Sequence, residues 1–304
     1  GLYARLAPFG WSTGEMSICR KCKDHSCTAS INTYIFQGRS CGVDLNPADL
    51  DDNTDCLLCG QCVKSCDHNN LGIEGRPNPG WLVRPWFKDI FALKPMTTAQ
   101  TAFCLVVSGF VVYEVFTEWN VTKGLLLWLS DNINILLGTE NAWSHGLIKS
   151  LTLFVILPTL VWLFPYGLFR LTGGKLSIGK FFSVFGIAFI PIMAATHTVK
   201  ALLKTTSRIP YWENAFTDPV GVETASGILD KSIQLTPLPV WREPAVTAMS
   251  LVLVCCGIAV STIVIRKLTT THLRKSGHRA WALYLIPGLY GGAFAAMICL
   301  WRFF

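Results

Sequence analysis

Charged side chains are scarce in this chain. Asp, Glu, Lys and Arg supply 15% of its 304 residues, while hydrophobic residues supply 51%. Soluble domains carry roughly a quarter charged residues, so a wholly soluble fold is excluded. The shortage is uneven. Residues 1–95 are mixed and polar, whereas residues 96–304 hold long apolar runs. That contrast predicts a soluble head on a membrane body. Other absences narrow the function. Gly1–Gly14 lacks the continuous apolar core of a signal peptide. Asp51-Asp52-Asn53 lacks the spacing of a calcium-binding loop. The net charge of +7 is not a nucleic-acid footprint, because the cations collect in short loops between apolar runs.

Cysteine is what the head has in plenty. Of twelve in the chain, eight fall between Cys19 and Cys66. Cys56, Cys59, Cys62 and Cys66 form C-x2-C-x2-C-x3-C. Two-residue gaps bring three thiolates to one corner of an iron–sulfur cube, and the fourth usually serves a second cube. Gly60 lets the backbone wrap tightly. Zinc is the competing ligand of C-x2-C pairs, but gaps of two, two and three suit a cubane better. A looser set precedes this one: Cys19-x2-Cys22-x4-Cys27, then Cys41 after thirteen residues. The two sets resemble a stretched repeat. In two-cluster ferredoxins the fourth cysteine of each half crosses over. On that logic one [4Fe-4S] cluster takes Cys19, Cys22, Cys27 and Cys66, and the other takes Cys41, Cys56, Cys59 and Cys62. The usual Pro after the fourth cysteine is replaced by Gly42 and Asp67. His25 and His68 flank the ligands as alternative donors or hydrogen-bond partners. Such clusters require a reducing compartment, not the oxidising one of a disulfide scaffold.

The acidic loop Asp44–Asp55 reads as a solvated loop, with a docking face for a basic donor as the rival. Gly72–Gly80 reads as a linker. Trp81, Trp86 and Phe87 alternate with Arg84 and Lys88, a mixture suited to a membrane surface. The predicted domains are a ferredoxin-like head over 1–80, an interfacial linker over 81–95 and an all-α membrane domain over 96–304.

A membrane span needs about twenty mostly apolar residues. Five segments qualify: Thr97–Trp119, Leu147–Phe169, Lys180–Leu203, Ala245–Ile265 and Trp281–Trp301. Gly124–Gly138 is too short, and Asp131, Asn132 and Asn134 interrupt it, so an interfacial or re-entrant helix is expected there. Five spans put the head beside the loops Arg170–Lys180 and Arg266–Arg279. Both loops are basic, and the positive-inside rule then puts the head in the cytoplasm. The segment Thr205–Pro244 on the opposite side is too polar for another span.

Ionisable residues within spans are costly and mark function. His145 and His197 fall near one face if adjacent spans run antiparallel, and two histidines could ligate haem b. The competing role is a hydrogen-bonded interfacial histidine. Glu114 is a candidate proton acceptor at a quinone site, or else the partner of Tyr113 or Lys123. Lys200 is expected to snorkel to the interface. Cys104, Cys255, Cys256 and Cys299 have no ligand spacing and read as packing residues.

The cysteine pattern, the following Gly-Arg-Pro-Asn-Pro-Gly and the apolar spans together resemble bacterial membrane-bound polyferredoxins. That group includes the quinol dehydrogenase subunit of periplasmic nitrate reduction and the membrane flavoprotein of nitrous oxide respiration. The resemblance covers residues 1–95 best. Its members often carry further spans and a Cys-x3-Cys-Pro element, which would lie before Gly1 or on another chain. It implies an electron-transfer subunit in the bacterial inner membrane, working with lipid, quinone and other subunits of a redox complex, without nucleic acid. A maturation or regulatory redox factor for a partner metalloenzyme is the alternative, and a structural zinc protein is the third reading.

Overall fold

The computed structural model describes residues 1–29, 40–74, 87–138, 141–233, 242–273 and 277–303. The linker residues 75–86, with Arg84, Trp81 and Trp86, lie outside the described residues, as do Arg274 and Lys275.

The head holds one two-stranded antiparallel sheet among its described residues, β1 (Gly10–Thr13) with β2 (Leu71–Glu74). Thr13 pairs with Leu71 and Gly10 with Glu74. The strands therefore tie together the two ends of the cysteine-bearing segment. Between them, among the described residues, lie the short helices α1 (Met16–Lys21), α2 (Ser26–Ala29) and α3 (Gln61–Lys64) and a 3₁₀ turn at Pro47–Asp49. Side chains do the remaining work. The Asn53 amide donates to the Phe9 carbonyl at 2.7 Å, and the Asn53 backbone N–H donates to Asp89 Oδ2 at 3.1 Å. Asp89 sits in α4 (Lys88–Phe91), so this contact carries the chain from head to body.

Five helices among the described residues are long and apolar enough to cross a membrane. The first is α5 (Thr98–Phe116), which starts with a capping box of Thr97 and Gln100. Next comes α6 (Asn120–Leu137), which is not among the five. The second span, Ala142–Leu171, joins α7 (Ala142–Leu151) to α8 (Leu157–Leu171) through a π-helical stretch at Thr152–Ile156. The third, Ile178–Asn214, runs from α9 (Ile178–Phe185) through a 3₁₀ turn at Gly186–Ala188 into α10 (Phe189–Arg208) and then α11 (Trp212–Thr217). A short helix, α12 (Val222–Leu229), precedes α13 (Arg242–His272), the fourth span. The fifth, Trp281–Arg302, ends in α14 (Gly292–Phe303).

Prolines explain where the spans lose α geometry. A proline ring clashes with the carbonyl four residues earlier. For Pro158, Pro191 and Pro287 those residues are Phe154, Ile187 and Leu283. Each lies inside a non-α stretch: π at Thr152–Ile156, 3₁₀ at Gly186–Ala188 and 3₁₀ at Gly277–Tyr284. Pro165 sits within α8 without such a break.

The third span is the hub, with 61% of its apolar window buried against 22–44% for the others. Small residues let the neighbours in. A methyl on Gly257 would lie 2.8 Å from the Ala195 side chain and 3.0 Å from the Pro191 carbonyl. The Ser261 hydroxyl donates to the Ala188 carbonyl at 2.7 Å. Trp162 stacks on Phe189 at 4.6 Å and donates to the Ser108 hydroxyl, while the Tyr290 hydroxyl donates to the Ser108 carbonyl.

Head and basic loops meet at one end of the bundle. The Met96 backbone exchanges hydrogen bonds with Ser183 near the start of the third span. Lys267, near the end of α13, lies 4.3 Å over the Phe91 ring. The acidic loop is solvated, with Asp44, Asp49, Asp51 and Asp55 exposed. Lys94 pairs with Asp52 at 3.8 Å and with Asp55 at 3.6 Å, turning that part of the loop toward the body.

Gly109 offers a direct test of this packing. A methyl there would lie 2.5 Å from the Leu153 carbonyl in the π-helical stretch, whereas one on Gly124 meets nothing within 4 Å. Gly109→Val should destabilise the detergent-solubilised protein by about 2 kcal/mol or more through overpacking. Gly124→Ala should be neutral or slightly stabilising. Thermal denaturation of both variants checks the contrast, and equal midpoints would reject it.

Candidate cysteine centres and intramembrane polar groups

The eight head cysteines divide between two cavities. Cys41, Cys56, Cys59 and Cys62 line one, walled by Trp11, Pro47 and Leu50. Cys19, Cys22, Cys27 and Cys66 line the other, with His25, His68 and Asn70. Each sequence-local triad thus meets the fourth cysteine of the opposite half. The local backbone explains the compact triad. Leu58 and Gly60 both take left-handed φ, +57° and +77°, inside Cys56–Cys62. They turn the loop sharply, and at Gly60 it is the positive φ that favours glycine, since a Cβ there would only touch Trp11 at 3.5 Å. The halves are stitched together by Ser26, whose hydroxyl donates to Asp67 next to Cys66.

Backbone and amide donors point at the sulfurs. Leu45 N–H lies 3.2 Å from Cys41 Sγ, and Leu58 N–H 3.3 Å from Cys56 Sγ. Asn70 serves two thiols: its backbone N–H lies 3.4 Å from Cys66 Sγ and its amide 3.2 Å from Cys19 Sγ. Asn70 was not foreseen from spacing, although it lies only four residues past Cys66. Burial pushes the Cys62 thiol up to about 11 and raises Cys27 as well. Such thiols ionise only when a cation compensates the charge. Among the described residues no three His, Cys, Asp or Glu side chains converge tightly enough for a single metal ion. A lone zinc needs its sulfurs about 2.3 Å from one point. Here each foursome lines one cavity, and N–H groups of Leu45, Leu58 and Asn70 bond to its sulfurs; four thiols around one space is the donor set a [4Fe-4S] cluster would take.

The body's ionisable residues have partners that spacing did not reveal. His145 Nε2 lies 3.9 Å from Asp131 on α6, and both side chains are half exposed. His197 Nδ1 lies 2.6 Å from the Tyr3 hydroxyl, with the Phe110 ring on another side. The two histidines therefore occupy separate settings. Glu114 pairs with Lys200 at 3.6 Å and Lys204 at 3.5 Å, rather than with Tyr113 or Lys123. Lys200 does not snorkel outward. It is buried, pairs with Glu118 and donates to the Glu114 carbonyl at 2.6 Å. Helix periodicity puts Lys200 and Lys204 on one face of α10, but the opposing Glu114 and Glu118 are more than eighty residues away. Cys104 is buried within the bundle, while Cys255 and Cys256 are exposed on α13.

No family model, curated protein or solved structure matches this chain.

The buried lysine makes a testable difference. Lys200→Met leaves Glu114 and Glu118 without their shared cation and should cost about 3 kcal/mol of stability. Lys204 is half exposed, and Lys204→Met should cost about 0.5 kcal/mol or less. Denaturation in detergent micelles measures both, and similar losses would contradict the assignment of Lys200 as the central charge.

Proposed function

We propose that this chain is a membrane-anchored electron-transfer subunit carrying two [4Fe-4S] clusters. One observation carries the reading: eight thiols fall into two foursomes around two cavities, with Cys41 and Cys66 exchanged between the halves. Cys19, Cys22, Cys27 and Cys66 would hold one cluster, and Cys41, Cys56, Cys59 and Cys62 the other. Bound clusters would supply one-electron chemistry. The chain's own residues do the rest. The thiolates fix position, and Trp11 and Leu50 keep water from one centre. The N–H groups of Leu45, Leu58 and Asn70 favour extra negative charge on the sulfurs and so raise the reduction potential.

The five apolar helices anchor this head to lipid. The loops with Arg170, Lys175, Lys180, Arg266 and Lys267 are the basic ones, and Lys267 lies over Phe91 just past the head, which supports a cytoplasmic head in a bacterial inner membrane. Electrons would pass between the head and quinone, or a partner subunit of the same redox complex. No bond-making side chain is required for that role.

Two measurements test this function. Anaerobically purified protein should contain about eight irons and a matching amount of acid-labile sulfide per chain; zinc without sulfide would end the proposal. Asn70→Ala removes one N–H···S bond worth about 1 kcal/mol, so one cluster's midpoint should fall by roughly 40 mV in a redox titration. Unchanged potentials would remove Asn70 from the tuning role.

A further inference from the structure

A third cavity lies where head and body meet, with a volume of about 570 Å³. Its walls include Leu57 and Leu58 from the head, Phe103 and Phe110 from α5, and Tyr3 and His197. Tyr3 and His197 are the polar side chains on it, and they are hydrogen-bonded to each other at 2.6 Å. Gly1 also borders the space, with its amino group donating to the Cys56 carbonyl, and the remaining side chains there are aliphatic or aromatic. Phe103 and Phe110 belong to the first membrane helix and are 59% and 41% exposed, so that wall continues onto the lipid-facing surface of α5. On the opposite wall, Leu57 and Leu58 are the two residues between Cys56 and Cys59. The cavity thus has a hydrocarbon side, one polar pair, and a wall made from the loop that bears two thiol ligands.

A ligand that suits all three features is flat, lipid-soluble, hydrogen-bonding and redox-active. Resting on the electron-transfer reading above, we propose that this cavity seats the ring of a membrane quinol, with Tyr3 and His197 as its proton-accepting pair. The site is distinct from Glu114, whose carboxylate is already paired with Lys200 and Lys204. Burial raises the Tyr3 hydroxyl above its ordinary value, so it stays protonated, and with the His197 imidazole in its Nε2–H tautomer the hydroxyl is the donor to Nδ1. In the step, a quinol O–H bond breaks and its proton passes to the Tyr3 oxygen as the Tyr3 proton moves to His197 Nδ1. The imidazolium then releases its Nε2 proton, which leaves the Nδ1–H tautomer; a ring flip or a solvent-borne transfer of that proton from Nδ1 to Nε2 restores the acceptor before the second hydroxyl gives up its proton. Two electrons leave the quinol one at a time across the Cys56–Cys59 loop, one for each oxidised cluster. The product is the quinone, with two protons released.

The test uses native membranes containing the full chain. An azidobenzoquinone photolabel should attach to peptides bearing Leu57–Leu58 or Phe103–Phe110, and excess decylbenzoquinol should compete it away. Tyr3→Phe and His197→Gln should keep full iron content and dithionite-reducible clusters, yet slow decylbenzoquinol-driven cluster reduction by about a hundredfold. Phe110→Trp, which fills the cavity and leaves the polar pair intact, should abolish the competed labelling. Labelling confined to other spans, or wild-type quinol rates in both polar variants, would overturn the site. Wild-type protein without iron would instead defeat the electron-transfer reading, while the labelling pattern would still judge the cavity.

Discussion

One buried cation holds the two parts of this protein together. Arg5 is 1% exposed, and its guanidinium donates to the Lys94 carbonyl at 2.7 Å and to Gln100 Oε1 at 3.2 Å. Gln100 closes the capping box of α5 and donates to Asp55 at 2.7 Å. Asp55 immediately precedes Cys56. A chain of hydrogen bonds thus runs from the N-terminal segment through the start of the first span to the first ligand of the compact cysteine triad. Burying a guanidinium costs several kcal/mol unless its charge is answered. Burial lowers the Arg5 value, and Asp52 and Asp55 act against that shift. Asp52 and Asp55 thereby hold their end of the acidic loop against the body, while Asp44, Asp49 and Asp51 stay exposed.

That joint has consequences on both sides. In the head, it brings the Cys56–Cys59 loop beside α5, where Leu57 and Leu58 line a cavity together with Phe103 and Phe110. In the body, it brings Tyr3 to His197 and creates the cavity between them. The helices beneath are held by a different physics. Proline breaks, small residues and the Ser108 hub let the spans approach closely, since lipid offers no hydrophobic drive for helices to associate. Among the described residues of the spans, the buried Lys200 sits between two glutamates, one on α5 and one in the turn after it.

The amino-acid sequence by itself determined the five apolar spans and the tightness of the Cys56–Cys62 loop. These are local properties. An apolar run is long enough to cross hydrocarbon or it is not, and a two-residue gap turns the backbone toward one centre wherever it occurs. Span ends were less legible: the second begins at Ala142 and not Leu147, because helices continue past the apolar window into the interface. Tertiary structure alone decided the partners of Arg5, His197, Glu114 and Lys200. Tyr3 and His197 are separated by 194 positions, and nothing near either residue announces the other. Hydrogen bonds and ion pairs act over a few ångströms of space, so their partners are chosen by which helices pack together, a choice that spacing along the chain does not carry.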